Sequence, residues 1–422
     1  MADSMRFTIV ALGTRGDVTP FVALAIGLRA GGHSVRIATH ADFESTVRRH
    51  GIDFHGLPGS FQNLIASSEG RRALGVPNNS IYGLNGVLLP FRDCAEAVFA
   101  ECWAATADAD VILSSAIGRM VSELIAGKRD LPLILGLASP SLPTRRLPHP
   151  VFPPWRLGPL YNRATFWMAG RVTRRARAEL QGRWQREADR LDPGSARPLR
   201  GAILTAVSPI VVPRPPDWPD VAHLTGFWFL PADSKPAIPD SLRDFVDAGS
   251  PPLCLGFGSM SDDRPDELRS IVLEALQDLH MRAVVVTGSG AALGDFRPHD
   301  NVHEVAFVDY RWLFPRVAAV VHQGGIGTAS YCLTAGVPQV VVGYCLDHRF
   351  WGWRMHEIGV APSALSRHTV TAKSLAKAVR ETLSDATFRS NASTIARSMA
   401  AEDGVANAVR ILNDHLAVAA KG

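Results

Sequence analysis

The sequence predicts an α/β protein built as two doubly wound domains joined by a proline-dense connection, and three observations carry that expectation. Short apolar, β-branched runs alternate with amphipathic helical stretches along both halves of the 422-residue chain, the pattern that gives parallel sheets covered by helices. Between the halves, Pro213, Pro215, Pro216, Pro219, Pro231, Pro236 and Pro239 make a semi-rigid segment, which is expected at a domain boundary. In the second half, 317–358 reads as strand, glycine turn, helix, strand and polar turn in direct succession.

The first strand is expected at 7–12. Gly13-Thr14-Arg15-Gly16-Asp17-Val18-Thr19-Pro20 then turns into a helix with Phe21, Leu24, Ala25 and Leu28 on one face; Gly31-Gly32 ends it, and a second strand follows at 35–38. Helices at 43–50, 87–105 and 120–127 alternate with strands at 52–55, 111–113 and 131–135. The turn after the first strand lies at the carboxyl end of a parallel sheet, where open α/β sheets take their ligands, so Asp17 points into the crevice. Thr19, immediately before Pro20, is expected to cap the helix and leave Asp17 for chemistry; the alternative is that Asp17 is itself the cap. The segment 78–89, with Gly83 and Gly86, is a loop that either lines an acceptor pocket or only connects elements.

Composition shifts at 145–200, where thirteen Arg and no Lys face Glu179, Glu187, Asp189 and Asp192, a local charge of about +9 against +4 for the whole chain. A helix is expected over 157–191, with Leu160, Phe166, Trp167, Met168 and Trp184 among its apolar residues. Three readings stay open for it: a solvated basic helix packed on the first domain, a lid over the acceptor site, or peripheral contact with an anionic membrane surface.

The second domain is expected to begin with a strand at 252–257 that ends in Gly258-Ser259-Met260-Ser261. This turn either offers a hydroxyl and N–H groups to a phosphate or merely closes a loop. A helix at 266–279 and strands at 283–287 and 302–305 lead to Phe307-Val308-Asp309-Tyr310-Arg311-Trp312, in which Trp312 either stacks on a base or joins the core. The next strand, 317–321, stops at His322, and Gln323-Gly324-Gly325-Ile326-Gly327-Thr328 lets the backbone turn and approach a ligand closely. Unpaired N–H groups and the positive end of a helix dipole then face an anion, most naturally phosphate. Taken singly, the glycines are equally those of a tight connection and the histidine that of a satisfied core. A further strand at 338–342 ends in Gly343-Tyr344-Cys345-Leu346-Asp347-His348, placing two polar side chains beside that turn. Helices close the chain from about 371 to 381, 388 to 400 and 405 to 417.

Hydrophobic residues make up 46% and charged residues 20% of the chain, a globular and not a disordered composition. No long Lys/Arg tract suggests nucleic acid. Five cysteines without a C-x-x-C pairing argue against a disulfide framework or a zinc site and for a reducing, cytoplasmic setting. The polar start and the lack of an apolar run of spanning length predict neither a leader nor a membrane span.

His322-Gln323-Gly324-Gly325-Ile326-Gly327-Thr328, Ala335-Gly336-Val337-Pro338 and Asp347-His348 resemble the donor signature of nucleotide-diphosphate-sugar glycosyltransferases of the plant, sterol and natural-product type. GTRGDVTPFVALAIGLRAGGHSVRIAT, 13–39, resembles the opening of the sterol, rhamnolipid and glycopeptide branch of the same family. The resemblance implies the GT-B arrangement, two facing Rossmann-like domains with a cleft between them. The expected boundaries are 1–212 for the acceptor domain, 213–240 for the linker, 241–400 for the donor domain, and 401–422 for a helix crossing back.

The implied reaction is inverting transfer of a hexose or deoxyhexose from a UDP- or TDP-linked sugar to a hydroxyl of a sterol, polyketide, lipid or other hydrophobic acceptor. The resemblance implies Asp17 as general base, and His322 with Gly324, Gly325, Gly327 and Thr328 as holders of the diphosphate. Thr14, Arg15, Gly16 and Ser259 are assigned to the donor, Val308 and Trp312 to the nucleobase, and Asp347 with His348 to the sugar. The family carries Gln where His348 stands, a departure that bears on which sugar is taken. Oriented N–H donors and His322 make a metal or other cofactor unnecessary, and there is no Asp-x-Asp cluster suited to Mg²⁺.

The rival enzyme class is an NAD-dependent oxidoreductase. Neither glycine turn reads G-x-G-x-x-G, and Arg36 and Thr39 stand where an acidic ribose ligand is needed. A catalytically inert nucleotide-sugar-binding protein is disfavoured by Asp17 and His322, and a sugar-nucleotide epimerase on the same fold is the nearer alternative.

Overall fold

The computed structural model describes residues 4–60, 63, 67, 93–192, 194, 201–232, 237–288, 290, 292–294 and 301–419. The expected loop at 78–89 and the helix start at 87 lie outside them. The first domain runs β1 Arg6–Val10, α1 Arg15–Ala30, β2 Ser34–His40, α2 Glu44–Arg49, β3 Asp53–Leu57, α3 Ala95–Ala105, β4 Val111–Ser115, α4 Arg119–Arg129, β5 Leu133–Leu137, α5 Pro159–Leu191, β6 Ile203–Thr205 and β7 Ala222–Leu224. Every strand pairing is parallel and the order is β3-β2-β1-β4-β5-β6-β7.

The second domain runs α6 Asp240–Asp247, β8 Leu253–Gly256, α7 Pro265–Leu279, β9 Ala283–Val286, β10 Val302–Val305, α8 Tyr310–Leu313, β11 Ala319–His322, α9 Ile326–Ala335, β12 Gln339–Gly343, α10 His348–Glu357, β13 Leu365–Ser366, α11 Ala372–Ser384, α12 Ala386–Met399 and α13 Gly404–Ala419. Its sheet, also parallel, has the order β10-β9-β8-β11-β12-β13. Each sheet reverses direction beside its first strand. The loops leaving β1 and β4, and those leaving β8 and β11, therefore splay apart and open a crevice at the carboxyl ends. Both glycine turns singled out in the sequence lie at these reversals.

The central strands are buried on both faces: Ile9, Val10, Ile112 and Leu113 in the first sheet and Val284, Val285 and Val321 in the second have no exposed surface. That is why they read as unbroken apolar runs. The expected linker 213–240 contains an edge strand of the first sheet, β7, which is too short at three residues to show any alternation. β6, β13 and the short α6 and α8 were unforeseen for the same reason.

The second half of α5 buries Leu180, Trp184 and Ala188 in the first domain's core, and the Trp184 indole donates to the Ala95 carbonyl at 2.7 Å. Helix α13 returns to the first domain, where Ala408, Leu412 and Leu416 join α1 in one core. The crossing is close because Gly27 has no side chain; a Cβ there would stand 2.3 Å from Cγ1 of Val405. Replacing glycine by alanine inside a helix ordinarily stabilises by about 0.5–1 kcal/mol. At position 27 the sign should reverse: Gly27→Ala is expected to destabilise by about 1–3 kcal/mol through overpacking, read as a lower urea midpoint with unchanged slope. A midpoint at or above wild type would show that the helix crossing gives way freely.

Candidate active site

Helix α1 begins at Arg15, earlier than the sequence suggested, with Thr14 as its N-cap in extended conformation. Thr19 therefore does not cap, and Pro20 lies inside the helix, withholding the N–H that would reach the Gly16 carbonyl. Asp17 completes a capping box: its Oδ2 accepts the Thr14 N–H at 2.8 Å and the Thr14 hydroxyl at 2.9 Å. Capping and chemistry, posed as alternatives, thus meet in one carboxylate. Protein surrounds it while some surface stays open to the cleft, and burial lifts its pKa to about 6 against the Thr14 hydrogen bonds, with the charge of Asp347 pushing the same way. The β1 loop is held from β4: the Ser115 hydroxyl accepts the Leu12 N–H at 3.1 Å and the Gly118 N–H at 3.2 Å.

Across the cleft, Gly325 is the N-cap of α9 and offers no side chain, so the first-turn amides of Ile326, Gly327 and Thr328 are open to a ligand. A Cβ on Gly327 would meet nothing within 4 Å, whereas one on Gly324, at φ +91°, would strike Val341 and the His348 carbonyl. One glycine thus faces open space and the other lets the turn pack against α10. The Thr328 hydroxyl lies near the Tyr310 phenol. Ser259 sits half-buried in the neighbouring β8 turn, and Gly258 packs against the Gln323 amide.

His322 departs from its expected role. The ring is fully buried; Nδ1 accepts the Gly324 N–H at 3.0 Å, and Nε2 donates to Gln339 Oε1 at 2.9 Å. Burial lowers its pKa to about 4, so it is a neutral post that fixes the glycine turn, with neither nitrogen spare for a diphosphate. Trp312 departs as well. Arg316 and Arg243 lie over its ring at 4.9 and 5.9 Å, and it packs with a core cluster together with Val308. The open ring of that loop is Phe307, 55% exposed, with the Arg15 guanidinium 5.1 Å from its centre. Arg15 thereby reaches from the first domain to the donor side.

Asp347 and His348 stand together at the start of α10. Asp347 Oδ2 accepts from the Ser139 hydroxyl of the first domain at 2.6 Å and from the Trp351 indole at 3.0 Å. His348 is buried, which lowers its pKa against the pull of Asp347. Its Nδ1 and the Gln323 Oε1 are buried without a hydrogen-bond partner among the described residues, a state that costs about 1–3 kcal/mol each until a ligand supplies the partner.

Sequence reasoning missed Ser139, His149, Phe307 and Gln323. His149 lies within the field of Asp347, and burial lowers its pKa to about 4; its ring packs edge-on against Phe152 and Phe166. Beside it, Val151, Phe152 and Ala169 pack against Leu346 of the Asp347 loop. An apolar wall therefore stands next to the carboxylates. Its only sequence signal was the composition break at 145, which carries no information about which side chains face the cleft.

Residues 7–107 match the glycosyltransferase family 28 N-terminal domain, and residues 270–414 match the erythromycin biosynthesis protein CIII-like C-terminal domain. A sterol 3-beta-glucosyltransferase of Emericella nidulans is 32% identical over 430 residues, covering 97% of this chain and 30% of its own length. One of Arabidopsis thaliana is 31% identical over 434 residues, covering 98% of this chain and 68% of its own length. Among solved structures, the kitacinnamycin glycotransferase superposes with a TM-score of 0.70 at 18% identity, covering 98% of this chain and 99% of its own. The glycosyltransferase VinC in complex with DTDP superposes at 0.65 and 22%, covering 99% and 100%. These likenesses give the two facing domains the GT-B fold. By the extent of its match to the sterol 3-beta-glucosyltransferase of Arabidopsis thaliana, the chain belongs to the glycosyltransferase family that includes these enzymes.

Proposed function

We propose that the protein is an inverting, NDP-sugar-dependent O-glycosyltransferase that moves a hexose or deoxyhexose from a UDP- or TDP-linked donor to a hydroxyl of a hydrophobic small molecule. The observation that carries this reading is the meeting of two loops across the cleft. Asp17, with a pKa of about 6, comes from the first domain; Asp347, hydrogen-bonded to that domain through Ser139, and its neighbour His348 come from the second. The names of the relatives favour a sterol or a similarly apolar acceptor, and the wall of Val151, Phe152 and Leu346 suits one.

In this mechanism the donor diphosphate lies over the first turn of α9, whose free amides and dipole act as roughly half a positive charge, with Arg15 and Ser259 beside it. Phe307 and the Val308 backbone flank the base, and Asp347 and His348 hold sugar hydroxyls. The acceptor enters along the apolar wall. Asp17 takes the hydroxyl proton as the oxygen attacks the anomeric carbon; the bond to the diphosphate breaks, the nucleotide leaves, and configuration inverts. Donors already aimed at the leaving group supply its stabilisation, so metal is not required.

Asp17→Asn keeps an acceptor for the Thr14 N–H but not a base. Its turnover should fall about 10²- to 10⁴-fold while UDP or TDP binding by calorimetry stays at the wild-type level; near-normal turnover would remove Asp17 from the chemistry. The base works deprotonated, so kcat/KM should be flat above, and fall as pH drops through, about 6, and Asp17→Asn should flatten that limb. Turnover should also survive EDTA treatment; loss restored by Mg²⁺ would show that the α9 turn and Arg15 do not suffice for the leaving diphosphate.

A further inference from the structure

Apolar side chains of any size are mostly covered in this protein, and the exceptions cluster. Trp155 is 59% exposed, Leu157 65%, Leu160 86% and Trp167 66%, all within thirteen residues at the loop entering α5 and its first three turns. Nothing comparable occurs among the other described residues, where large exposed apolar side chains stand singly, as is normal for a surface.

The cluster is ordered. Tyr161 donates its hydroxyl to the Pro153 carbonyl at 2.6 Å and lies 5.8 Å from the Trp155 ring, which holds the loop against the helix. Leu160 and Trp167 are seven residues apart and share a helix face. Arg163, Arg171 and Arg174 fall on or beside that face, with Arg175 and Arg177 flanking it, and the Arg171 guanidinium sits 5.6 Å from the Trp167 ring centre. From 155 to 178 there is no Asp or Glu, and none of these five arginines has a carboxylate partner among the described residues. Arg156 alone is engaged, with Glu357 of the second domain at 2.6 Å.

We propose that this face docks on an anionic membrane surface. Tryptophan and leucine side chains rimmed by unpaired guanidinium groups fit the boundary between headgroups and acyl chains. An uninterrupted positive rim complements negative lipid, and would oppose a second copy of the same face meeting it. The opposite side of the same segment is the apolar wall next to Leu346. On the glycosyltransferase reading, one hairpin would therefore meet the bilayer with its outer face and a lipophilic acceptor with its inner one. The docking itself does not depend on that reading, and its test uses binding alone.

The test is flotation of the full chain with vesicles of phosphatidylcholine alone or mixed with phosphatidylglycerol, at low and high salt. Binding is expected to the mixed vesicles, weakening with salt. Leu160→Ser/Trp167→Ser should reduce the partition coefficient at least about tenfold, and Arg171→Glu/Arg174→Glu by about fivefold or more per position, with both variants keeping the wild-type melting temperature because the side chains are exposed. Failure to float with either vesicle, or flotation unchanged in both variants, would overturn the proposal. So would a dimer in light scattering that Leu160→Ser/Trp167→Ser dissolves without any vesicle binding, because a second copy would then cover the face.

Discussion

The site depends on a position that exists because residue 13 has no side chain. Gly13 adopts φ +130°, and a Cβ there would lie 2.5 Å from Asp17 Oδ2. The carboxylate can fold back over its own turn, bind Thr14 and still face the cleft only while that space is free. From this follow the early start of α1 at Arg15, the exposure of the Arg15 side chain toward Phe307, and the burial that lifts the Asp17 pKa. Local backbone geometry, helix capping and proton affinity are one constraint seen at three levels.

Electrostatics divides the cleft into two unlike walls. On the first-domain side, burial, with the charge of Asp347 across the cleft pushing the same way, lifts Asp17 to a pKa of about 6, where a carboxylate is a stronger base than a solvated one. On the second-domain side, the positive charge is mostly partial, spread over the free amides of α9, with Arg15 as the formal cation that reaches across. The chain as a whole carries only +4, yet a diphosphate needs no broadly basic cleft when oriented dipoles meet it at close range. The neutral His322 fits this division: a charged imidazole would have to be solvated in a core of Gln339 and the glycine turn, and instead it spends both nitrogens on holding that turn rigid.

The alternation of strands and helices was legible because buried parallel strands and one-sided helices leave different periods in the sequence. It was weakest where elements are two to four residues long, as at β7, β13 and α8. Both glycine turns were legible too, since a positive φ and a close approach restrict residue type. What failed was the inference from residue type to contact. For Trp312, stacking on a base and joining the core both stayed open, and it packs with the core under Arg316 and Arg243, while Phe307, five residues earlier, is the open ring. His322 looked like a ligand group and proves to be a brace. Ser139 and His149 lie in a stretch whose composition shows no spacing rule, and only the folding of 139–152 across to the Asp347 loop brings them to the site.

His348 is where the site's own chemistry is most specific. Where the donor signature that this sequence resembles has glutamine, with a donor and an acceptor on one planar amide, this protein presents a buried imidazole whose Nδ1 has no partner among the described residues. Burial keeps the ring neutral against the pull of Asp347, so Nδ1 offers one function, donor or acceptor according to the tautomer, and not both. Asp347, with Oδ2 already taken by Ser139 and Trp351, has Oδ1 left and can only accept. Two adjacent groups that offer one hydrogen-bonding function each satisfy fewer sugar hydroxyl patterns than an aspartate and an amide do. On the proposed function, selection among sugars would be concentrated at this ring fixed by packing, and changing the preferred sugar would require changing what stands at 348 more than reshaping the diphosphate turn.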